Sequence, residues 1–535
     1  MILEPKKSQG LKKAPQTLSP LLRQQVFVTF AGVLLAIFLS SLDDTIVATA
    51  MPRILTDLGG FAHYTLVTTA YLITSTVMIP ITGRLTDLFG RKWFYTAGIG
   101  IFILGSLLSG LSYSLAQLIF FRAFQGIGGG IMIANAFAVV GDLFSPSERG
   151  KYQGYIAAVF AMSAVLGPFL GGFITDTLSW HWIFFINVPL GIGAIFLFIF
   201  FFPLHQPDTH PKIDYLGVTL LIMTTAPLLL ALSWGGSEYP WGSPLIIGLL
   251  SFSLVALVIF YIVEVHTREP ILPLRYFTDR IVSISMAVTF LTGFIMYSAI
   301  IFISLYFQGV IGLSATASGG SLTPMMLGVA GGALISGQLM ARASGHYKIQ
   351  GIIGIILMSA GAGLLCTVNI NTHYAVSVVY AILTGFGLGM TLPLYAIVVQ
   401  NVVPYNVMGV MISSVPFSRF IGGSLGLAVL GSVMNSRFAA GIAGRLPSEL
   451  VSSLAQNPQA LVSAQAQNEL RQALASFGAQ TDQILKQVLD ALRQSLMAAL
   501  TDVFIILLAV SLLSLLIQFF IKEVPLRKGP APISE

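Results

Sequence analysis

The chain has 535 residues, of which 55% are hydrophobic and only 9% are charged, and its mean hydropathy is +0.86. A soluble domain carries about a quarter charged residues, so this composition excludes an ordinary water-soluble protein. The net charge of +6 would favour nucleic-acid binding in a soluble chain. Basic loops of a membrane protein explain that charge, so we expect no nucleic-acid partner. The single cysteine, Cys366, excludes an intrachain disulfide, and no Cys/His pattern has metal-site spacing.

Long apolar windows define the predicted architecture. A helix needs about 20 mostly apolar residues to cross the hydrocarbon core of a bilayer. Fourteen windows of this kind start near Val26, Tyr64, Trp93, Ala116, Tyr152, Ile183, Tyr215, Pro244, Ser283, Thr316, Ile349, Tyr374, Gly409 and Ala499. We therefore predict an all-α polytopic membrane protein with fourteen transmembrane helices.

Lysine and arginine are distributed unevenly between the loops. They concentrate in both termini and in the loops after every second window, whereas the short loops on the other side hold only Arg53. Short basic loops remain in the cytoplasm. The bias predicts a cell-membrane protein with an even number of spans and with both termini in the cytoplasm.

The windows are grouped as six, two and six. We predict a basic cytoplasmic tail (1–23), a first six-helix bundle (24–203), two linking helices with flanking cytoplasmic stretches (204–282), a second six-helix bundle (283–521) and a cytoplasmic tail (522–535). The joint at 337–348 weakly repeats the joint at 83–92. Paired bundles with an internal repeat are a common plan of secondary transporters.

A charged turn at residues 83–92, between the second and third windows, is the most informative feature. Its candidate functional residues are Gly83, Arg84, Asp87, Gly90, Arg91 and Lys92. The glycines permit a close approach or a tight bend. Asp87 can pair with Arg91 one turn later, or it can face the positive end of the third helix. Such contacts can form in one arrangement of the bundles and break in another, so we predict a conformational latch; a static brace of the loop is the alternative.

Ionisable side chains inside membrane helices usually mark a pathway or a relay. Asp43 and Asp44 fall in the first window and Arg122 falls in the fourth. If the first helix leaves the membrane near Thr49 and the fourth enters it near Ala116, Asp43 and Arg122 share a level about six residues deep, or ~9 Å. An aspartate facing an arginine can bind and release a proton as a cavity opens and closes. We predict Asp43 as the coupling carboxylate and Asp44 as a structural acid; an interfacial Asp43 and an Arg122 bonded by carbonyls are the alternatives.

Two further charges, Glu264 and Arg419, fall inside the eighth and thirteenth windows. Long charged side chains can extend toward the membrane interface while their stems stay in apolar surroundings. We therefore expect the charged groups of Glu264 and Arg419 to extend to the membrane interface, without a further role.

Small residues form stripes on two predicted helices. The stripe on the fourth helix follows Arg122 and Gln125, which share a face, and contains Gly126 and Gly130. The stripe on the fifth helix contains Ser163, Gly167 and Gly171, next to Pro168. Such stripes let helices approach closely, but they also occur in membrane proteins that transport nothing.

A polar segment, residues 435–498, separates the last two windows on the predicted outer side. Apolar residues at helical spacing within it predict two amphipathic helices, the second of which runs into the last membrane helix. Gly478 marks the boundary between them. We expect either a packing element or an extracytoplasmic cap that meets a partner.

Taken together, these segments resemble the major facilitator superfamily, specifically its fourteen-helix drug:proton antiporters of the EmrB/QacA type. The segments 83–92, 122–130, 163–172 and 42–52 resemble, respectively, motif A, motif B, motif C and the family signature of helix 1. Proton transfer is attributed to motif B in that family. The resemblance implies the major facilitator fold, with two six-helix bundles and two additional linking helices. Ser163 departs from the glycine that usually begins motif C.

The resemblance and the embedded charges predict a transporter and not an enzyme. We expect a proton-coupled antiporter that exports hydrophobic or cationic drugs or toxic amphiphiles by alternating access, without a cofactor or metal. A lipid or glycolipid exporter of the same fold is one alternative, and a non-transporting membrane sensor or scaffold is another. The expected partners are protons, small hydrophobic or cationic substrates, membrane lipid and an extracytoplasmic partner of 435–498.

Overall fold

The computed structural model describes residues 20–58, 64–202, 213–313, 315–342, 346–445 and 481–525. Within these ranges the regular structure is helical, apart from one isolated bridge between Gly235 and Tyr239. Fourteen helices are long and apolar enough to cross a membrane. The prediction of an all-α polytopic protein with fourteen spans is therefore confirmed.

The first bundle contains six helices. They are α1 (Pro20–Leu58), α2 (Tyr64–Phe89), α3 (Arg91–Gly110), α4 (Leu115–Leu143), α5 (Arg149–Thr177) and α6, which is divided into Trp182–Phe185 and Asn187–Phe201. In this bundle α4 packs on α2 and α3, and α1 packs on α5 and α6.

Two linking helices and a second bundle follow. The linking helices are α7 (Tyr215–Trp234) and α8 (Pro244–His266). The second bundle contains α9 (Arg280–Leu305), α10 (Ala315–Arg342), α11 (Tyr347–Leu365), α12 (Tyr374–Thr391 and Leu394–Val402), α13 (Met408–Ala443) and α14 (Thr481–Phe519). A π-helical turn, Tyr306–Val310, continues α9.

Capping residues define where α7, α8 and α9 begin. The side chains of Asp214, Ser243 and Asp279 each accept a hydrogen bond from a backbone amide in the first turn of the following helix. These bonds satisfy donors that a helix start leaves unpaired. The polar stretches between the apolar runs therefore set the entry points of both linking helices and of the second bundle.

The linking helices lie outside the two bundles. α7 packs on α8 and also contacts α2 of the first bundle and α13 of the second. Only 22% of the spanning stretch of α8 is buried inside the molecule, so most of its apolar surface is left to face lipid. α7 therefore covers a boundary between the bundles, and α8 covers α7.

The two bundles touch at the end that carries residues 83–92, here called the charged end. α2 crosses α13 at Gly83 and Gly409, where a Cβ on Gly83 would lie 2.8 Å from the Gly409 carbonyl oxygen. α5 crosses α10 at Gly150 and Gly337, where a Cβ on Gly150 would lie 2.7 Å from the Gly337 carbonyl oxygen. Only glycine permits such backbone contacts, so both crossings depend on these residues.

Toward the opposite end the packing between the bundles has a gap on one side. A cavity of about 280 Å³ lies between α2, α7 and α13, with Thr69, Ser233 and Ser432 in its lining. The structure is therefore closed between the bundles at the charged end and, around this cavity, less tightly packed at the other.

α1 continues as a helix beyond Thr49, where we assumed that it leaves the membrane, through Pro52 to Leu58. Ile54 and Leu55 are buried and extend the apolar stripe of the preceding turns, so packing maintains the helix beyond the proline. Asp43 consequently lies well inside α1 and not near its end.

The polar segment 435–498 is partly described. Residues 435–443 are the last turns of α13, and 481–498 are the first turns of α14, so the second predicted amphipathic helix does run into the last membrane helix. Phe438 of α13 and Leu492 of α14 are buried in one apolar cluster with the rest of the second bundle. The described part of the segment is therefore a packing element. The first predicted amphipathic helix lies outside the described residues.

Candidate functional site

A buried polar cluster joins three helices of the first bundle. Arg122 of α4 pairs with Asp43 of α1 and donates a hydrogen bond to Gln125 Oε1 at 2.8 Å. Gln125 Nε2 donates to Asp43 Oδ1 at 2.9 Å, and Asn187 Nδ2 at the start of the long part of α6 donates to the same oxygen at 3.0 Å. The expectation that Asp43 and Arg122 share a level is confirmed by this contact.

Aromatic rings surround the Arg122 guanidinium. Its carbon lies 4.4 Å from the centroid of the Tyr71 ring and 5.9 Å from that of Phe184. The Tyr71 hydroxyl is 3.0 Å from Ser40 Oγ. Stacking on aromatic faces stabilises a desolvated guanidinium while leaving its edges available. Among the described residues, Nε of Arg122 has no hydrogen-bond partner, so one edge of this buried cation is unused.

The burial of these groups determines the free-energy cost of breaking the Asp43–Arg122 ion pair. Asp43, Arg122 and Gln125 are each 0% exposed. Removing one partner of a buried ion pair leaves an uncompensated charge and costs about 3–5 kcal/mol. Neutralising Asp43 would therefore leave Arg122 without its counter-charge.

Asp44 has different surroundings from its neighbour. Asp44 is partly exposed, and in the part of the chain that the structure describes its carboxylate has no hydrogen bond or ion pair. It lies within electrostatic reach of Asp43 and Arg122, and also of Tyr297 on α9 in the second bundle. These neighbours place Asp44 on the side of α1 that is directed toward the second bundle. Which aspartate binds the proton stays a prediction.

Asn187 belongs to the cluster, although sequence reasoning missed it. Its amide also donates to Ser106 Oγ of α3 at 3.0 Å, and Ser106 Oγ donates to the Phe184 carbonyl at 2.8 Å. The available signal was a lone asparagine in the apolar run Trp182–Leu190. A buried amide needs partners, so this pattern could have indicated a polar cluster.

In the charged turn, Asp87 bonds the opposite bundle. Its carboxylate oxygens accept hydrogen bonds from the backbone amides of Gly409 at 2.8 Å and Val410 at 3.0 Å, at the start of α13. Arg91 Nη2 lies 3.4 Å from Asp87 Oδ1, as the spacing predicted. Of the two roles predicted for Asp87, pairing with Arg91 is the one observed, and the helix dipole that Asp87 meets is that of α13.

A second set of bonds extends this junction. Arg91 Nη1 pairs with Asp142 Oδ2 of α4 at 3.1 Å, and the Tyr405 hydroxyl, just before α13, donates to Asp142 Oδ1 at 3.1 Å. Lys92 Nζ donates to the Phe202 carbonyl at the end of α6 at 2.9 Å. The positive φ of Gly90, 85°, lets the chain turn directly from α2 into α3. The charged turn thus connects both bundles at one end.

The small-residue stripes lie at helix crossings within the first bundle. Gly126 and Gly130 face α2, and Gly167 and Gly171 face α1 beside Thr45 and Thr49. Ser163 Oγ donates to Val159 O of its own helix at 2.9 Å, and Thr45 Oγ1 donates to the Ser163 carbonyl at 3.3 Å. Pro168 lies inside α5. These contacts explain why α1 packs closely on α5. Helix α5 also crosses α10 of the second bundle.

The expectation that Glu264 and Arg419 extend to the interface is wrong. Glu264 is 2% exposed and accepts a hydrogen bond from the Leu272 amide at 3.2 Å, so it holds the chain that leaves α8. Arg419 is 8% exposed, within α13, and its Nη2 reaches the Leu392 carbonyl where α12 is broken. Both charges lie inside the protein because loop or broken-helix backbone groups are available to bond them.

The described residues contain no group of three or more His, Cys, Asp or Glu side chains that could hold a metal ion. The clustered charges are therefore those of the Asp43 site and of the charged turn. They can bind protons and cations and can connect helices.

Comparison with known proteins gives a consistent family. The model of the Major Facilitator Superfamily matches residues 33–427. The chain is 38% identical over 516 residues to the multidrug transporter protein MdtP of Bacillus subtilis, covering 94% of each chain. It is 36% identical to multidrug resistance protein 3 of the same organism, covering 87% of this chain and 90% of that one.

Solved structures show the same fold at low identity. The crystal structure of the human organic anion transporter MFSD10 matches 92% of this chain and 100% of its own, with a TM-score of 0.57 and 15% identity. This likeness concerns the fold alone. Together the matches identify a multi-pass membrane transporter, not an enzyme, and they give no support to a non-transporting sensor or scaffold.

Proposed function

The chain belongs to the major facilitator superfamily, and from that premise we propose that it exports hydrophobic or cationic drugs from the cell in exchange for protons. Its similarity to a multidrug transporter and a multidrug resistance protein supports drugs as the substrate class. Proton exchange is supported by the charges inside the first bundle.

We place the protein in the cell membrane, with the charged end and both termini on the cytoplasmic side. The loops at that end hold most of the lysine and arginine, as expected for cytoplasmic loops. With this orientation, the contacts of α2 with α13 and of α5 with α10 close the cytoplasmic side. The less tightly packed end then faces outward, as it would when a substrate leaves and a proton enters.

One observation carries the coupling mechanism. Arg122 lies within electrostatic reach of both Asp43 and Asp44, but it bonds only Asp43. The Asp44 carboxylate lies on the side of α1 that is directed toward the second bundle. A single cation next to two acids can compensate one of them fully and leave the other to bind a different cation.

In the proposed cycle, ionised Asp43 holds Arg122, and Asp44 binds the positive group of the substrate. When an external proton binds Asp43, its attraction for the guanidinium falls, and Arg122 moves across the Tyr71 ring toward Asp44. The neutralised Asp44 then loses its hold on the substrate. Proton and cation thus compete through one arginine, which is the requirement for exchange.

The charged turn has a separate role in this proposal. It lies at the far end of the bundle from the Asp43 cluster, and its bonds connect Asp87 to α13 across the two bundles. Those bonds exist in the arrangement that is closed to the cytoplasm and break when the bundles part there. The turn therefore sets the rate of switching and not the choice of substrate. Lipid or glycolipid export remains an alternative, based on the segment 435–498.

Everted membrane vesicles test the proposal. A preformed proton gradient is monitored with a pH-sensitive dye while ethidium or tetraphenylphosphonium is added. Wild-type vesicles should lose part of the gradient on addition, Asp43→Asn vesicles should not respond, and Asp44→Asn vesicles should respond only to uncharged drugs. The matched control is Asp176→Asn, which should behave as wild type. Asp176 is an exposed acid near the carboxyl end of α5.

Two results would reject the proposal. If no compound in a panel of cationic and neutral drugs dissipates the gradient, the chain is not a proton-coupled drug exporter. If Asp43→Asn retains gradient-driven export, the coupling site lies elsewhere. Phospholipid export is assayed in the same vesicles, so that the alternative function, lipid export, is tested separately from drug export and from proton coupling.

A further inference from the structure

A second cavity lies at the charged end, away from the Asp43 cluster. Its volume is about 1140 Å³, and it is enclosed by the charged turn, the final turns of α8 and the segment 267–278 that follows α8. Helix α8 is a linking helix that packs mainly on α7, and its Phe260 shares a buried apolar cluster with Val77 and Ile81 of α2. The cavity therefore lies between the first bundle, the end of α8 and the residues 405–407 that precede α13.

Arg84 is the distinctive residue of this cavity. It lines the cavity, is only 8% exposed and, among the described residues, forms no ion pair; its Nε has no hydrogen-bond partner there. A buried guanidinium without a partner is costly. Arg84 therefore has the properties of a group that binds something the chain itself does not supply.

Two acids of the cavity are engaged with other groups. Asp87 accepts two amides of α13 and Asp142 pairs with Arg91. Glu264 Oε1 accepts the Leu272 amide, while its Oε2 has no hydrogen-bond partner among the described residues; this carboxylate lies within electrostatic reach of Arg84, but not within ion-pair distance. Glu269 at the rim is exposed. None of these carboxylates compensates the Arg84 guanidinium directly.

One wall of the cavity continues into the lipid-facing surface. Tyr261 and Val265 of α8 both line the cavity and are 60% and 56% exposed. Above them the exposed side chains of α8 are apolar, including Leu254 and Val258. A ligand in the cavity can therefore have a polar part beside Arg84 and an apolar part along α8.

We infer that this cavity binds a phospholipid with an anionic head group, whose phosphate contacts Arg84 and whose acyl chain lies along Tyr261 and Val265. Basic pockets between helices at the cytoplasmic face are known to suit such head groups. Arg268 and Arg275, both exposed, add positive charge at the rim. The inference goes beyond the export function and requires only that the charged end lies at the membrane surface.

A free phosphate or nucleotide is less consistent with this cavity. Such ligands have no apolar chain, and they leave the exposed surface of Tyr261 and Val265 without a role. Direct pairing of Arg84 with Glu264 is the purely structural alternative, in which the two residues only attach α8 to the first bundle. The experiment must distinguish lipid, free anion and internal pairing.

Lipid retention by the purified full-length protein, measured by native mass spectrometry, makes this distinction. Phosphatidylglycerol is added to wild type and to Arg84→Gln, Arg84→Lys, Glu264→Gln and Arg342→Gln. Arg84→Gln should weaken phosphatidylglycerol binding about fivefold, the effect of one basic residue near an anionic surface. Arg84→Lys should restore most of it. Arg342, exposed at the corresponding joint of the second bundle, is the matched control and should have no effect.

Several outcomes would overturn the inference. It fails if Arg84→Gln binds phosphatidylglycerol as wild type does, if Arg342→Gln weakens binding equally, or if inorganic phosphate displaces the lipid at millimolar concentration. Glu264→Gln should keep or strengthen lipid binding. If it instead lowers lipid binding as Arg84→Gln does, the two residues act as an internal pair. A transport defect in any variant does not affect this reading, because binding is measured without transport.

Photolabelling of the unmodified protein gives a second measurement that does not depend on a variant folding. A phosphatidylglycerol with a photoreactive group in its acyl chain should label the peptide that contains Tyr261 and Val265 above all other lipid-facing peptides. Even labelling of every lipid-facing helix would contradict the inference. A photoreactive phosphatidylcholine of the same chain length is the control and should label that peptide no more than the others.

Discussion

The carboxylate of Asp87 in the first bundle accepts a hydrogen bond from the backbone amide of Gly409 in the second, at 2.8 Å. The bond places a side chain of one bundle on the first amides of a helix in the other. Anions are stabilised at helix amino termini by the unpaired amides and by the helix dipole. The closed charged end is thus held by a contact that needs both bundles, and it breaks as soon as they separate there.

Replacing Asp87 by asparagine tests this contact. The charge is lost while size is kept, and hydrogen bonds to charged groups contribute about 1.5–3 kcal/mol each. We expect the ratio of molecules closed to molecules open at the charged end to fall about tenfold or more. Spin labels at Phe89→Cys and Asn406→Cys, in a Cys366→Ser background, report the distance between the bundles.

In the same variant, transport should slow by a similar factor for every substrate. Asp176→Asn is the control and should change neither quantity. A changed order of substrate preference, with an unchanged label distance, would show that Asp87 contacts substrate and does not close the charged end.

A methyl group at Gly83 tests the same crossing by steric means. A Cβ there would meet Ser413 Oγ and lie 2.8 Å from the Gly409 carbonyl oxygen. Overpacking of this kind costs about 1–3 kcal/mol, so Gly83→Ala should separate α2 from α13 and widen the label distance. Gly100→Ala in α3, which meets no atom within 4 Å, is the control. An unchanged distance in Gly83→Ala would mean that the two helices do not close on each other there.

The sequence predicted the parts of this account that depend on short-range pattern. Apolar windows gave fourteen spans, and the spacing of Asp87 and Arg91 gave their ion pair, because both follow from helical geometry. The continuation of α1 to Leu58 was not predicted, because it depends on the packing of Ile54 and Leu55, which outweighs the proline at 52. A pattern along one helix does not include that tertiary contribution.

Contacts between distant segments were the other omission. Asp87 and Gly409 are separated by 322 positions, and no local signal relates a turn to a helix start so far away. Asn187 was missed for a similar reason, since its partners lie on α1 and α3. Asp43 and Arg122 were matched only because two charges at similar depth in an apolar environment have few alternative partners.

Asn187 offers a test of the Asp43 cluster that leaves both charges in place. Asn187→Leu removes the donors to Asp43 and Ser106, and a hydrogen bond contributes about 0.5–1.5 kcal/mol, or about 1.5–3 kcal/mol where it meets a charged group. We expect fewer protons to be exchanged per drug molecule exported, measured in proteoliposomes with an imposed pH gradient.

Asn135→Leu is the matched control, because Asn135 Nδ2 is buried and bonds only the Ile131 carbonyl of its own helix, at 3.0 Å, in the structure described. It should lower stability at most and leave the exchange ratio unchanged. Equal ratios in the Asn187 and Asn135 variants would show that Asn187 only packs.

The central claim is that Arg122 links a proton on Asp43 to a cation on Asp44, and proton release from the purified protein tests it most directly. Tetraphenylphosphonium is added to weakly buffered protein in detergent, and the pH change is recorded with an indicator. At a pH where Asp43 is partly protonated, wild type should release up to one proton per bound cation, because reciprocal linkage makes cation binding weaken proton binding. Asp43→Asn should release none, and Asp44→Asn should bind little cation. Undiminished proton release from Asp43→Asn would contradict the account.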